Sequence, residues 1–303
     1  MNRILVFLFA LFCITMHTGA QTLPAETSAK MTRALELEQA GNTAEALDLF
    51  LEVSEDTKLQ RNEDERQTYV RSQTMVCECY GQLGQYKEGF QLAKRMLEGQ
   101  INDSEREDLL QHYVLNGYVY ACTCIQDEKA GREDFKRGRE IITEILPHAD
   151  SLIYEKASLR IPYSWYFDGV HCESTSQYEE ALTSYEHASK GFGDLGRVSE
   201  VIAVLHATAN VNKILNRYAE EEEAYFKAFS LAQHIGDTAK QMSALKGLWT
   251  LGNNTGNLRL VHSVSASMDS LVEVSADAMM KFNYYQQKGE GAAAKGQYVL
   301  AEK

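Results

Sequence analysis

Several stretches of this chain begin alike and recur at long, regular intervals. They are GNTAEALDLFLEV from Gly41, GQYKEGFQLAKRM from Gly84, SQYEEALTSYEHA from Ser176, NRYAEEEEAYFKA from Asn216, GNLRLVHSVSASM from Gly256 and GQYVLAEK from Gly296. Each opens on a polar turn, usually places an aromatic or aliphatic residue two positions on, and puts a small or apolar residue three further on. The aromatic or aliphatic place falls at Tyr86, Phe135, Tyr178, Tyr218, Leu258 and Tyr298, and the first copy carries Thr43 there. The steps from Tyr218 to Leu258 to Tyr298 are 40 residues each. A unit of that size cannot bury its own apolar face, so each copy must stack on its neighbours.

The repeated unit reads as helical. Pro24, Pro147 and Pro162 are the only prolines, so few breakers interrupt the chain. In the fourth copy Ala181, Leu182, Tyr185 and Ala188 lie along one side of a helix. The stretch PYSWYFDGVHCESTSQYEEALTSYEHA, Pro162 to Ala188, resembles the tetratricopeptide repeat through Trp165, Gly169, Tyr178, Ala181, Tyr185 and Ala188. In other copies the small residue of the second helix is Ala46, Gly89, Gly138 or Ala301. The apolar residue four on is Phe50, Ile142 or Tyr225, and three further on stand Val53, Met96, Ile145, Ala228 or Met268. Glu221 and Val261 depart from the small-residue place, the family's closing proline is missing, and copy three has the longer turn QDEKAGRED.

The resemblance covers residues 27 to 303. It implies an all-α solenoid of helix-turn-helix pairs forming a curved superhelix, with about seven repeats and the last incomplete. The copies fall at 27–60, 66–100, 108–148, 155–190, 199–235, 239–275 and 277–303 within an array spanning 21–303. Small residues such as Gly169 and Ala181 would let two helices approach while Trp165 and Tyr185 fill the space around them. GFGDLG, Gly191 to Gly196, fits a G-x-G-x-x-G phosphate motif, but it follows a helix in a chain without a βαβ unit, so it reads as a glycine cap and turn. HIGD at His234 to Asp237 and LPHADS at Leu146 to Ser151 mark similar junctions of one uncut array.

The opening MNRILVFLFALFCITMHTGA differs from the rest: Arg3, an apolar run from Ile4 to Met16, then small and polar residues to Ala20. This reads as a secretory signal peptide over residues 1–20, which places the protein on the exported, periplasmic or extracytoplasmic side of a bacterial membrane. The run is too short for a comfortable span of roughly 20 residues. A net charge of −13 and the lack of a Lys/Arg stripe exclude nucleic-acid binding as the expected function. Five cysteines follow the leader: Cys77, Cys79, Cys122, Cys124 and Cys172. An odd number cannot pair completely, and residues two apart on a helix diverge, so they are expected to be unpaired core thiols.

No catalytic constellation emerges. The histidines form no H-x-x-x-H or H-E-x-x-H pair. His171 and Cys172 are adjacent and diverge on a helix, which argues against a nucleophile and its base. The acidic run Glu220 to Glu223 reads as a solvated helix start. No enzyme activity, cofactor or metal is therefore expected. Binding is, because members of the resembled family hold a peptide or protein segment on the face of their first helices. The matching positions are Tyr163, Tyr166, Val170 and Glu173 in copy four, His206, Asn210 and Lys213 in copy five, and Lys246, Thr250 and Asn253 in copy six. The sequence stops at Lys303 just as a helix opens at Tyr298. An uncapped array exposes apolar surface, so the natural chain is expected to continue. That arrangement resembles the sensory half of bacterial membrane-bound histidine kinases or helix-turn-helix regulators, with the membrane reached through a segment beyond residue 303.

Overall fold

The computed structural model describes residues 23–99 and 101–275, together with 281–282, 284–286 and 288–289. The leader at 1–20 and most of the closing copy at 277–303 lie outside the described residues. Among the described residues there is no strand. The helices are α1 (Ala25–Gln39), α2 (Thr43–Thr57), α3 (Glu63–Gln82), α4 (Tyr86–Leu97), α5 (Asp103–Gln126), α6 (Arg132–Ile145), α7 (Ser151–Ser174), α8 (Tyr178–Asp194), α9 (Val198–Ile214), α10 (Tyr218–His234), α11 (Thr238–Thr255) and α12 (Leu258–Val274), with a turn of 3-10 helix at Leu146–His148. Odd-numbered helices open the copies and even-numbered helices close them. The third copy starts at Asp103 rather than 108 because Asn102 Oδ1 accepts from Glu105 N at 2.8 Å. The fourth starts at Ser151 because Asp150 Oδ1 accepts from Ile153 N at 2.8 Å. Pro162, read as the head of its stretch, sits inside α7.

The turns explain the period. Gly41, Gly84, Gly196, Gly236 and Gly256 all have left-handed φ angles, as do Ser176 and Asn216. Each follows the end of a helix. At Ser176 the N–H donates to Glu173 O at 3.0 Å and the next N–H, of Gln177, reaches Cys172 O at 2.7 Å. Those two bonds satisfy carbonyls that a helix end leaves bare. The same pair recurs with Asn216 and Arg217, and with Gly256 and Asn257. In GFGDLG only Gly196 takes the left-handed conformation, while Gly191 and Gly193 are helical.

The chain forms two compact units, residues 1–120 and 121–303. The division falls inside α5, three residues beyond Gly117 and away from any turn, whereas the turn signals alone describe an uncut array. In the first unit α1 packs on α2, α2 on α3 and α3 on α4. Met31, Ala34, Phe50, Val53, Val76 and Phe90 are buried there. Gly89 is small because Asn116 passes over it: a Cβ there would lie 2.7 Å from Asn116 Nδ2, which donates to Cys77 O at 3.1 Å. Cys77 and Cys79 are both buried despite their spacing of two, since α3 is covered by α2 on one side and α4 on another. Burial pushes both thiols up to about 12, so they are inert neutral groups.

In the second unit consecutive helices from α6 to α12 pack on one another. Gly138 faces Ile125, and Gly169 faces the Tyr185 ring, where a Cβ would lie 2.5 Å from Cε1. Ala181, Tyr185 and Ala188 have no exposed surface. Ala181→Leu is expected to destabilise the protein by about 1–3 kcal/mol through overpacking, and an unchanged melting temperature would sink this register. Trp165 packs against the buried cluster that contains Ala181, Tyr185 and Ala188. Its ring stacks on His187 at 4.5 Å, and Arg139 Cζ lies 3.6 Å over it. Arg139 Nη2 is 3.5 Å from Asp168 Oδ2, while Arg132 Nε donates to Asp168 Oδ1 at 3.0 Å. Asp168 is 1% exposed, so a buried carboxylate where α6 meets α7 holds the mostly buried Arg139 on one oxygen and the exposed Arg132 on the other.

Candidate functional site

The strip expected from the sequence lies on α7, α9 and α11, all in the second unit. Its residues share register: Tyr166, His206 and Lys246 are 40 residues apart, as are Val170, Asn210 and Thr250, and Glu173, Lys213 and Asn253. A constant helix pair repeated at constant length carries each row onto the equivalent turn of the next first helix.

The α7 row is aromatic. Tyr163 meets Phe192 edge-on at 4.9 Å and lies over Phe167 at 6.2 Å. Tyr166 lies 5.9 Å from the Tyr185 ring and 5.8 Å from Phe167. Both tyrosines are half-buried, and Val170 is exposed. Glu173 Oε2 accepts from the Tyr185 hydroxyl at 2.9 Å, and burial followed by that bond raises the Tyr185 pKa. The α9 row is polar. Asn210 Oδ1 accepts from the Tyr225 hydroxyl at 3.2 Å. His206 meets the same ring edge-on at 5.5 Å. Its Nε2 is buried with no hydrogen-bond partner, and burial lowers its pKa, so it is neutral at pH 7. Lys213 is exposed. In the α11 row Thr250 Oγ1 and Asn253 Nδ2 bond back to Lys246 O at 2.9 Å and Trp249 O at 2.8 Å. A Cβ on Gly247 would lie 2.4 Å from the Tyr225 ring, so Tyr225 touches α9 and α11 alike.

Chemically the strip offers aromatic faces, amides, a hydroxyl and ammonium groups. His171 and Cys172 part company: the His171 ring meets Phe135 at 6.3 Å, while Cys172 Sγ lies 3.8 Å from Asp168 Oδ1. Among the described residues no group of three or more His, Cys, Asp and Glu could hold a metal ion. No helix among them is long and apolar enough to cross a membrane. The acidic run is not uniformly solvated. Glu221 is 2% exposed, because it stands in the small-residue place that faces the neighbouring helices. Phe167, Arg132, Arg139 and Asp168 were not singled out by the sequence, where only the i, i+4 relation of Phe167 to Tyr163 was visible.

No protein-family model matches the chain, and no curated protein matches it. Similar solved structures include the apo form of RapI, 14% identical over 91% of this chain and 94% of that one, with a TM-score of 0.31. A signal-transduction ATPase with numerous domains and a tetratricopeptide repeat sensor, from Pyrococcus horikoshii, is 16% identical over 91% of this chain, with a TM-score of 0.43. The match spans 40% of that longer chain. A thermophilic tetratricopeptide-repeat protein of Thermus thermophilus is 12% identical over 73% of this chain and 98% of that one, with a TM-score of 0.28. What places this chain is its own packing: helix pairs with Gly169 against Tyr185, fully buried Ala181 and Ala188, and left-handed turns recurring at Ser176, Asn216 and Gly256. It is an all-α protein built of tetratricopeptide-like helix pairs. In this repeat protein the strip on α7, α9 and α11 is the face of successive first helices.

Proposed function

We propose that this tetratricopeptide-repeat chain is a non-catalytic protein-interaction module, exported from the cytoplasm, that holds an extended peptide or protein segment along α7, α9 and α11. The observation that carries this reading is the matched register of the three rows, each presenting side chains at the same turn of successive first helices. An extended chain repeats its own amides at short intervals, and rows that repeat in step can meet them. The Tyr163 and Tyr166 rings give such a ligand apolar contact, and the exposed Asn210 and Lys213 offer it polar groups. The signal-peptide pattern at residues 1–20 supports export.

The test is a photoreactive amino acid at Val170 in the native host. A segment cross-linked there is expected to bind the purified protein, and Tyr166→Ala with Lys213→Ala is expected to weaken that binding tenfold or more, about 1.4 kcal/mol or above. Equal binding by the double variant would sink the strip. Retention of the protein in the cytoplasm would sink the export half.

A further inference from the structure

A crevice of about 330 Å³ opens among α10, α11 and α12, away from the strip and sharing no residue with it. The buried Leu251 and Leu260, the exposed Tyr218, and Glu222 and Thr255 line it. The chain contains its own control for this place, one repeat earlier. There the equivalent of Glu222 is Leu182, which packs against the buried cluster that includes Ala181, Tyr185 and Val211. The equivalents of Ala219 and Asn257 are Glu179 and Arg217, whose side chains join at 3.1 and 2.5 Å across the N-terminal ends of α8 and α10. Between α10 and α12 all three are changed. Glu222 replaces the apolar filler and has no ion pair among the described residues. Ala219 cannot reach across, and Asn257 turns its side chain onto Leu260 N at 3.2 Å.

We propose that this crevice is a docking site for an arginine side chain of a partner protein segment. The chemistry fits a long apolar stem ending in a cation. The stem lies on Leu251 and Leu260, the guanidinium pairs with the half-buried Glu222, and its plane meets the Tyr218 ring. The incoming group supplies the cation that Arg217 supplies from within the chain one repeat earlier. This inference goes beyond the strip and stands without it.

The probe is a fluorescein-labelled pentapeptide of alternating leucine and arginine, followed by fluorescence polarisation against the intact protein. Saturable binding is expected, with at least tenfold loss when citrulline replaces arginine. Two variants follow the internal template. Glu222→Leu restores the filler, and Ala219→Glu with Asn257→Arg restores the bridge. Both are expected to retain the wild-type melting transition and to lose binding tenfold or more, whereas Tyr166→Ala on the strip leaves it unchanged. No saturable binding to the wild type, equal binding of the citrulline peptide, or undiminished binding by either folded variant would overturn the proposal.

Discussion

Asp168→Ala is expected to destabilise the second unit by about 3–5 kcal/mol, the range seen when one partner of a buried ion pair is removed. Asp168 is 1% exposed and accepts from Arg132 Nε at 3.0 Å. Its other oxygen faces Arg139, whose side chain is only 12% exposed. Truncation therefore leaves a guanidinium inside the joint of α6 and α7 with Ser164 Oγ, at 3.2 Å, as its remaining polar contact. Asp168→Asn keeps an oxygen for Arg132 and removes the charge, so a smaller loss is expected. Asp168→Leu with Arg139→Met should recover much of it, because an apolar replacement removes both desolvated charges together. Trp165 fluorescence reports the event directly, since Arg139 stacks on its ring at 3.6 Å. A Trp249→Phe background isolates that signal. A midpoint for Asp168→Ala within about 2 °C of wild type, against the roughly 2–4 °C expected for each kcal/mol, would show that the cluster is not structural.

The contrast between what was legible and what was not follows the range of the contacts. The 40-residue rhythm, the helix pairs and the left-handed glycines are local, so the sequence carries them directly. The contact of Gly169 with Tyr185 was legible for the same reason, being fixed by a small residue on one helix and an aromatic on the next. Asp168 was not. A carboxylate in a helix reads as solvated until its partners are known, and Arg132 lies 36 residues away. Glu173 and Asn210 were placed on the correct helices, but their bonds to Tyr185 and Tyr225 depend on how the closing helix of each copy rotates. The break after Tyr120 leaves no trace in composition because it lies within α5. The open crevice at Glu222 becomes visible in the sequence only when copies five and six are laid on copies four and five and Leu182, Glu179 and Arg217 are seen to change together.

Glu221→Ala is expected to stabilise the protein at pH 7 by about 2–3 kcal/mol, the upper part of the cost of an unsatisfied buried polar group. The site is the small-residue place of the fifth copy, which holds Ala46 in the first copy and Ala181 in the fourth, both without exposed surface. In Glu221 the Oε2 atom is buried with no hydrogen-bond partner. Burial raises its carboxyl pKa, and Lys213 opposes that shift only in part. The sign of the pH dependence follows. Between the unfolded value, about 4.3 for glutamate, and the raised folded value, the folded state holds the proton more tightly than the unfolded chain. Stability at this site therefore falls as pH rises through that window. The gain from Glu221→Ala should be largest at neutral pH and shrink as pH falls through about 4, below which the carboxyl is protonated in both states and only the missing hydrogen bond remains. Glu221→Gln separates the two contributions: it removes the titration and keeps a polar head in the same place, so its gain at pH 7 should be smaller than that of alanine and should shrink toward low pH in step with it, leaving a gap between the two variants that does not vary with pH. Urea denaturation at pH 4, 5.5 and 7 reads both. A destabilised alanine variant would mean that the carboxyl is held by groups inside the repeat after all, and that the fifth copy is built around an acid rather than in spite of one.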